Sequence, residues 1–237
     1  MTGADPAHRA TGDAGAPAGA HQDAHEEESR MTTHRLVVVT AGLGRPSATR
    51  LLADRLTEAT GRHLADAGRH AEPEVIELRE LATDIAGHLV TGFPAPTLRA
   101  ALDAVENADG LIAVSPVFAA SYSGLFKSFF DLLDPAVLTG KPVLIAATGG
   151  TPRHSLALEY ALRPLFVYLH ATVVPTAVFA AADDWGSGAS AGTDTLPARV
   201  DRAAAELAAL LPAARQDRAA EEQVVPFEQQ LAALRPD

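Results

Sequence analysis

From Arg35 onward the chain alternates short apolar runs with amphipathic stretches, and this alternation constrains the fold more than any other feature. The apolar runs read as five strands, at Arg35–Thr40, Glu74–Leu78, Leu111–Val114, Pro142–Thr148 and Thr172–Phe179. Helical periodicity fills the gaps. It runs over Ser47–Gly68, with Leu51, Leu52, Leu56 and Leu64 on the apolar face, then over Leu81–Leu89. It returns over Pro96–Asn107, where Leu98, Leu102 and Val105 share a face, and over Gly124–Leu133, His154–Leu169 and Leu196–Leu211. Parallel strands need crossovers, and those crossovers are right-handed. The pattern therefore predicts α/β architecture, a doubly wound five-stranded parallel sheet in a single domain. A chain of 237 residues, 47% of them hydrophobic, can bury one such core.

The periodic region spans residues 34–214. Residues 1–33 are rich in Ala, Gly, His, Asp and Glu, include Glu26-Glu27-Glu28, and show no periodicity, which predicts a disordered tail. Met31 stands directly before the first strand, so either Met1 or Met31 is the start. Gly186–Gly192 reads as a surface loop. Residues 215–237 read as a charged linker, Arg215–Glu222, and a terminal segment, Val224–Leu234, with an apolar face.

Composition removes several classes of function. With no cysteine there is no disulfide, thiol nucleophile or thiolate metal site, so redox chemistry needs a borrowed cofactor. A formal net charge of −11 argues against nucleic acid as a partner. No apolar run nears the roughly 20 residues of a spanning helix, and no hydrophobic leader opens the chain. The expectation is a cytoplasmic protein without membrane contact. The nine histidines show no metal-ligand spacing, and none is expected to bind metal.

Ligands of open α/β sheets sit beyond the carboxyl ends of the strands, and three strand ends here carry chemistry. The first is Thr40-Ala-Gly-Leu-Gly-Arg-Pro-Ser-Ala-Thr-Arg50. It lacks the P-loop lysine and the third glycine of a dinucleotide fingerprint, and Glu77 lies too far along to bind a ribose. It offers hydroxyls at Thr40, Ser47 and Thr49, guanidinium groups at Arg45 and Arg50, and a helix N-terminus, the donors that a phosphate monoester takes. Sequence chemistry equally admits Ser47 as a plain N-cap beside solvated arginines. The second is Ser115-Pro-Val-Phe-Ala-Ala-Ser-Tyr-Ser-Gly124. Because Pro116 lacks an N–H, the chain is expected to leave its strand at Ser115, placing Ser121 to Gly124 at a helix start suited to an acceptor such as a flavin carbonyl. Lys127 is one of only two lysines and adds positive charge there, or pairs with Asp131 one turn on. The third is Ala147-Thr-Gly-Gly-Thr-Pro-Arg-His154. Gly149 and Gly150 permit close approach of a ligand to bare backbone, or make a tight turn into a helix.

Together these segments resemble the NAD(P)H-dependent FMN reductases of the flavodoxin-like superfamily, over about Arg35 to Trp185. The resemblance rests on the hydroxyl-bearing first loop, on Ser-Pro-Val-Phe-Ala-Ala-Ser-Tyr-Ser-Gly-Leu-Phe-Lys-Ser-Phe-Phe-Asp, and on Thr-Gly-Gly-Thr-Pro-Arg-His with the following Leu-Glu-Tyr-Ala-Leu-Arg-Pro-Leu-Phe. Many members open the first loop with Ser-Gly-Ser, where this chain has Thr-Ala-Gly. The resemblance implies FMN phosphate on Thr40, Ser47, Thr49 and Arg50. It implies the flavin edge against Pro116, Val117, Phe118 and Ser121, with Gly149, Gly150 and Thr151 on the far side.

The implied activity is hydride transfer from NADPH or NADH to FMN, with no catalytic side chain, Lys127 and Arg153 in support, and reduced flavin passed on. The subgroup it looks most like supplies luciferase-like monooxygenases, and the terminal Val-Val-Pro-Phe-Glu-Gln-Gln-Leu resembles that subgroup's tail. Quinone, azo or nitro reductases that retain FMN share the first half-reaction. A flavodoxin-like electron carrier is a third reading, disfavoured because carriers usually sandwich the flavin between aromatics and only 5% of residues here are aromatic. A homodimer or homotetramer is expected, since one chain only partly walls the site.

Overall fold

The computed structural model describes residues 32–186 and 195–212. In β1 (Thr33–Thr40) the residues Leu36-Val37-Val38-Val39 are apolar on successive positions, so neither face suits water. Val37 and Val39 enter one core cluster, Leu36 and Val38 a second across the sheet. The same two-sided burial holds along β3 (Gly110–Phe118) and β5 (Pro142–Gly149). The other strands are β2 (His70–Glu77), β4 (Ser121–Tyr122), β6 (Thr172–Val173) and β7 (Val178–Ala181).

Helices cover both faces. On one lie α1 (Ala48–Asp66) and α6 (Leu196–Leu210). On the other lie α2 (Ala82–Thr91), α3 (Pro96–Glu106), α4 (Gly124–Phe130) and α5 (Arg163–Tyr168), the last entered through a π-helical turn at Leu158–Leu162. Phe126, Phe129, Phe130 and Phe166 meet in a cluster with ring centroids 4.7–6.2 Å apart. Burying each such ring contributes about 1.5–3 kcal/mol. The inward face of α1 is Leu52, Ala53, Leu56, Ala59, Thr60 and Leu64. Leu51, expected on that face, is 45% exposed, because it stands about 100° around the helix from Leu52.

The parallel order is β2-β1-β3-β5-β6, with β7 also on β5 and β4 antiparallel to β3. This is the flavodoxin-like winding. It has seven strands where five were expected. One extra arises because the run Thr172–Phe179 is broken at Pro175, which has no N–H for the ladder. Glu206 of α6 takes up the groups left there, accepting from the Thr176 N–H and hydroxyl at 2.7 Å each.

The other is β4, and it corrects the expected exit at Ser115. The strand continues, with Ser115 opposite Ala147 and Pro116 opposite Thr148. The Val114 carbonyl accepts from Ala41 N–H at 3.0 Å, so Val114 addresses β1, Ser115 addresses β5, and Pro116 addresses the side that β1 has already left. A missing N–H costs nothing at that position. The turn comes at Ala119 and Ala120, with φ of 47° and 65°, and the chain folds back so that Ser121 faces Phe118. Ser121 and Tyr122 thus belong to a hairpin; the helix begins after Ser123, whose hydroxyl accepts from Phe126 N–H at 3.1 Å. The expected N-terminal tail, the glycine-rich loop after Gly186 and the segment Val224–Leu234 lie outside the described residues.

His34 on β1 is buried, and neither ring nitrogen has a hydrogen-bond partner among the described residues. Burial is the chief reason that its pKa lies below the usual 6.5; the Arg69 cation lowers it further and the Asp109 carboxylate opposes both. The unfolded chain therefore binds the proton more readily. Stability is expected to be fully present above the unfolded value near 6.5 and to fall as pH drops from there through the folded value. Urea midpoints between pH 7.5 and 5 should decline in the native chain and decline less in His34→Leu. Identical slopes would remove His34 as the cause.

Candidate functional site

The chain leaves β1 towards β2 on one side and reaches β3 on the other, so the crevice for a ligand opens at the carboxyl ends of β1 and β3. Three segments converge there. Thr40 ends β1 opposite Val114, and its buried hydroxyl has no hydrogen-bond partner among the described residues. Such a group is costly unless something binds it. The loop then passes Gly42, where a Cβ would stand 2.1 Å from Ser47 Oγ and 3.0 Å from Thr49 Cβ. Only glycine lets the loop fold this tightly onto the start of α1.

Ser47 caps α1, its Oγ accepting from Arg50 N–H at 3.2 Å, which leaves its own proton to donate. Thr49 is buried, and its Oγ1 lies 2.8 Å from Thr148 Oγ1 at the end of β5. Arg50 is gripped by two carboxylates, Asp54 at 2.7 Å and Glu77 at 2.6 Å. The hydrogen bond to Asp54, with both carboxylate charges behind it, raises the guanidinium pKa further above its ordinary value. Glu77 also holds Arg79 at 2.6 Å, and Arg79 donates to the Gly44 carbonyl at 2.9 Å. Arg45, at the exposed tip, pairs with Glu80 at 3.3 Å.

The hairpin forms the second wall. Pro116 is buried, Val117 half-buried and Phe118 47% exposed at its tip, with Ser121 beside it. Ser115 fixes this wall from beneath, donating from its hydroxyl to the Pro116 carbonyl and accepting the Ser123 N–H, both at 2.9 Å. Lys127 pairs with Asp131 one turn on, the alternative that its spacing offered.

The third wall follows β5. A Cβ on Gly149 would strike the Phe179 ring at 2.8 Å, whereas one on Gly150 meets nothing within 4 Å. Gly149 is thus needed for packing, and Gly150 borders open space. Thr151 is exposed and its hydroxyl accepts from Arg153 N–H at 3.2 Å; Arg153 is exposed as well.

Sequence reasoning singled out the three segments but passed over Gly42, Ser115, Thr148 and Phe179. The first three were visible as a glycine in the loop and as hydroxyl residues directly after apolar runs. Phe179 carries no local signal, since only the fold brings β7 under the glycine turn. The assembled crevice offers the Thr40, Ser47 and Thr49 hydroxyls at one end, suited to an acceptor-only anion, and at the other the hairpin and the glycine turn, carried by the neighbouring strands β3 and β5.

The profile of the NADPH-dependent FMN reductase family matches residues 34–186. An FMN reductase (NADPH) of Pseudomonas aeruginosa is 40% identical over 177 residues, covering 75% of this chain and 91% of that protein. The NADH-dependent FMN reductase SfnF of Pseudomonas putida is 39% identical over 149 residues, 63% of this chain and 78% of its own length. Among solved structures, an oxidoreductase from Corynebacterium diphtheriae superposes with a TM-score of 0.71 at 46% identity, covering 76% of this chain and 97% of its own. The family match spans all three segments of the crevice: the chain belongs to the NADPH-dependent FMN reductase family and is an oxidoreductase that reduces FMN at the expense of NADPH or NADH.

Proposed function

We propose that this crevice seats FMN as follows, and that the protein hands reduced flavin to a monooxygenase. Thr40, Ser47 and Thr49 hold the phosphate, with Arg50 as a charge held beside them. The ring edge rests on Pro116, Val117, Phe118 and Ser121, and Gly149, Gly150 and Thr151 border the opposite side. When bound, FMN supplies the hydride acceptor. The side chains supply binding and orientation. Backbone N–H groups of the glycine turn favour negative charge at the ring edge, with Lys127 as a more distant cation, and Arg153 attracts the anionic nucleotide. The observation that carries this reading is the buried Thr40 hydroxyl, without a hydrogen-bond partner among the described residues, beside the tightly folded Gly42 loop. Transfer to a luciferase-like monooxygenase is supported by the resemblance of the terminal Val-Val-Pro-Phe-Glu-Gln-Gln-Leu to that subgroup's tail.

The catalytic domain is taken as residues 34–214, with 1–33 and 215–237 as appendages outside the chemistry. Dependence on nicotinamide nucleotides supports a cytoplasmic setting; among the described residues no helix is long and apolar enough to cross a membrane. Assembly as a homodimer or homotetramer is supported by apolar exposure concentrated on the α2–α5 side, with Val90 86%, Phe93 82% and Tyr160 79% exposed.

NADPH or NADH oxidation measured with and without excess free FMN tests the function, with light scattering on the same preparation for the assembly. Turnover should rise and saturate with free FMN. Turnover that ignores free FMN and requires an added quinone points to a reductase that retains its flavin. A protein that binds FMN yet oxidises neither nucleotide is an electron carrier, and a monomeric mass removes the assembly.

A further inference from the structure

The hydroxyl pair between Thr49 and Thr148 joins residues 99 apart in sequence, and neither hydroxyl has another partner among the described residues. Both side chains are buried, at 3% and 7% exposure, so water does not freely substitute for either. Two hydroxyls sharing one hydrogen bond use one proton and leave one to spare, and the direction of the bond decides which residue keeps it. Thr49 lies in the first turn of α1 against Gly42, at the mouth of the loop after β1. Thr148 lies near the end of β5, level with Pro116 and outside that loop. A phosphate dianion only accepts hydrogen bonds, so a seat for it needs the spare proton on Thr49.

We propose that Thr148 is a positioning residue for phosphate recognition: its hydroxyl donates to Thr49 Oγ1 and so turns the Thr49 proton towards the phosphate. This rests on the reading of the loop after β1 as the phosphate seat. The relay has a second consequence. Thr148 directly precedes Gly149 and Gly150, so the bond that orients a phosphate donor also ties the phosphate end of the crevice to the turn beside the ring.

The test measures FMN and riboflavin affinities of the apoprotein by fluorescence quenching in the native chain, Thr148→Val, Thr148→Ser, Thr49→Val and the double valine variant. Valine keeps the shape and removes the hydroxyl. Thr148→Val should lose about 10-fold in FMN affinity, within the range for hydrogen bonds to charged groups, and stay within about twofold for riboflavin. Thr148→Ser should retain native discrimination. In the Thr49→Val background, Thr148→Val should cost nothing further, because the proton that it orients is gone. Retained riboflavin binding certifies the fold of each variant. Equal loss for both flavins, no loss for either, or the same loss with and without Thr49 overturns the relay. A native chain that binds FMN no better than riboflavin overturns the phosphate seat itself, and the relay with it; a native chain that discriminates while Thr148→Val discriminates equally overturns the relay alone.

Discussion

Gly150→Val is expected to lower NADPH oxidation by about 100-fold or more while FMN affinity stays within several-fold of native. The two adjacent glycines differ in what surrounds them. At Gly149 a side chain would collide with the Phe179 ring, so substitution there disturbs packing before it reports on chemistry. At Gly150 a Cβ meets nothing within 4 Å, and the backbone is outside the left-handed region that would itself demand glycine. Valine at 150 therefore leaves the fold intact and fills only the space bordering the ring slot. If the nicotinamide must enter that space, displacement by about 1 Å is enough to cost two orders of magnitude. Steady-state oxidation at saturating FMN, with FMN affinity measured separately, decides the matter. Unchanged turnover would place the nicotinamide on another side of the flavin.

Ser47→Ala combined with Thr49→Ala is expected to weaken FMN binding by about 100-fold or more, and riboflavin far less. Each charge-assisted hydrogen bond to phosphate contributes about 1.5–3 kcal/mol, so losing two exceeds the 2.7 kcal/mol or so that a 100-fold change requires even if they are not fully additive. The Ser47 change also removes the cap of α1, at a cost of about 1 kcal/mol in stability that both flavins feel alike. The ratio of the two affinities is for that reason the quantity to read. A parallel loss for both flavins would show that the loop acts through α1 and not through the phosphate.

The winding of the sheet was legible because β1, β3 and β5 each carry an unbroken apolar run, Leu36 to Val39, Leu111 to Val114 and Val143 to Ala147, a pattern that a strand covered on both faces tolerates. The three strand ends were legible because glycines and hydroxyl residues interrupt those runs. The errors share a cause. Pro116 was read as a terminator by a rule that assumes a neighbour on each side, and Pro175 was read through as part of a single strand. Which side of a strand has a partner is decided by register, a long-range property absent from the local sequence. The Arg50 environment shows the same limit: Asp54 is one helical turn away and could be anticipated, whereas Glu77 arrives through the pairing of β1 with β2.

The interruption at Pro175 has a counterpart across the molecule. The opposite border strand, β2, carries Pro73 between Glu72 and Glu74. Each lateral border of the sheet thus contains a residue that cannot donate, flanked on one side by negative charge and capped on the other by Glu206. Neither border offers an uninterrupted row of N–H groups to an incoming strand. An incoming strand therefore finds no continuous ladder at either border, a barrier to edge-to-edge pairing that is set by two prolines and the acidic side chains beside them.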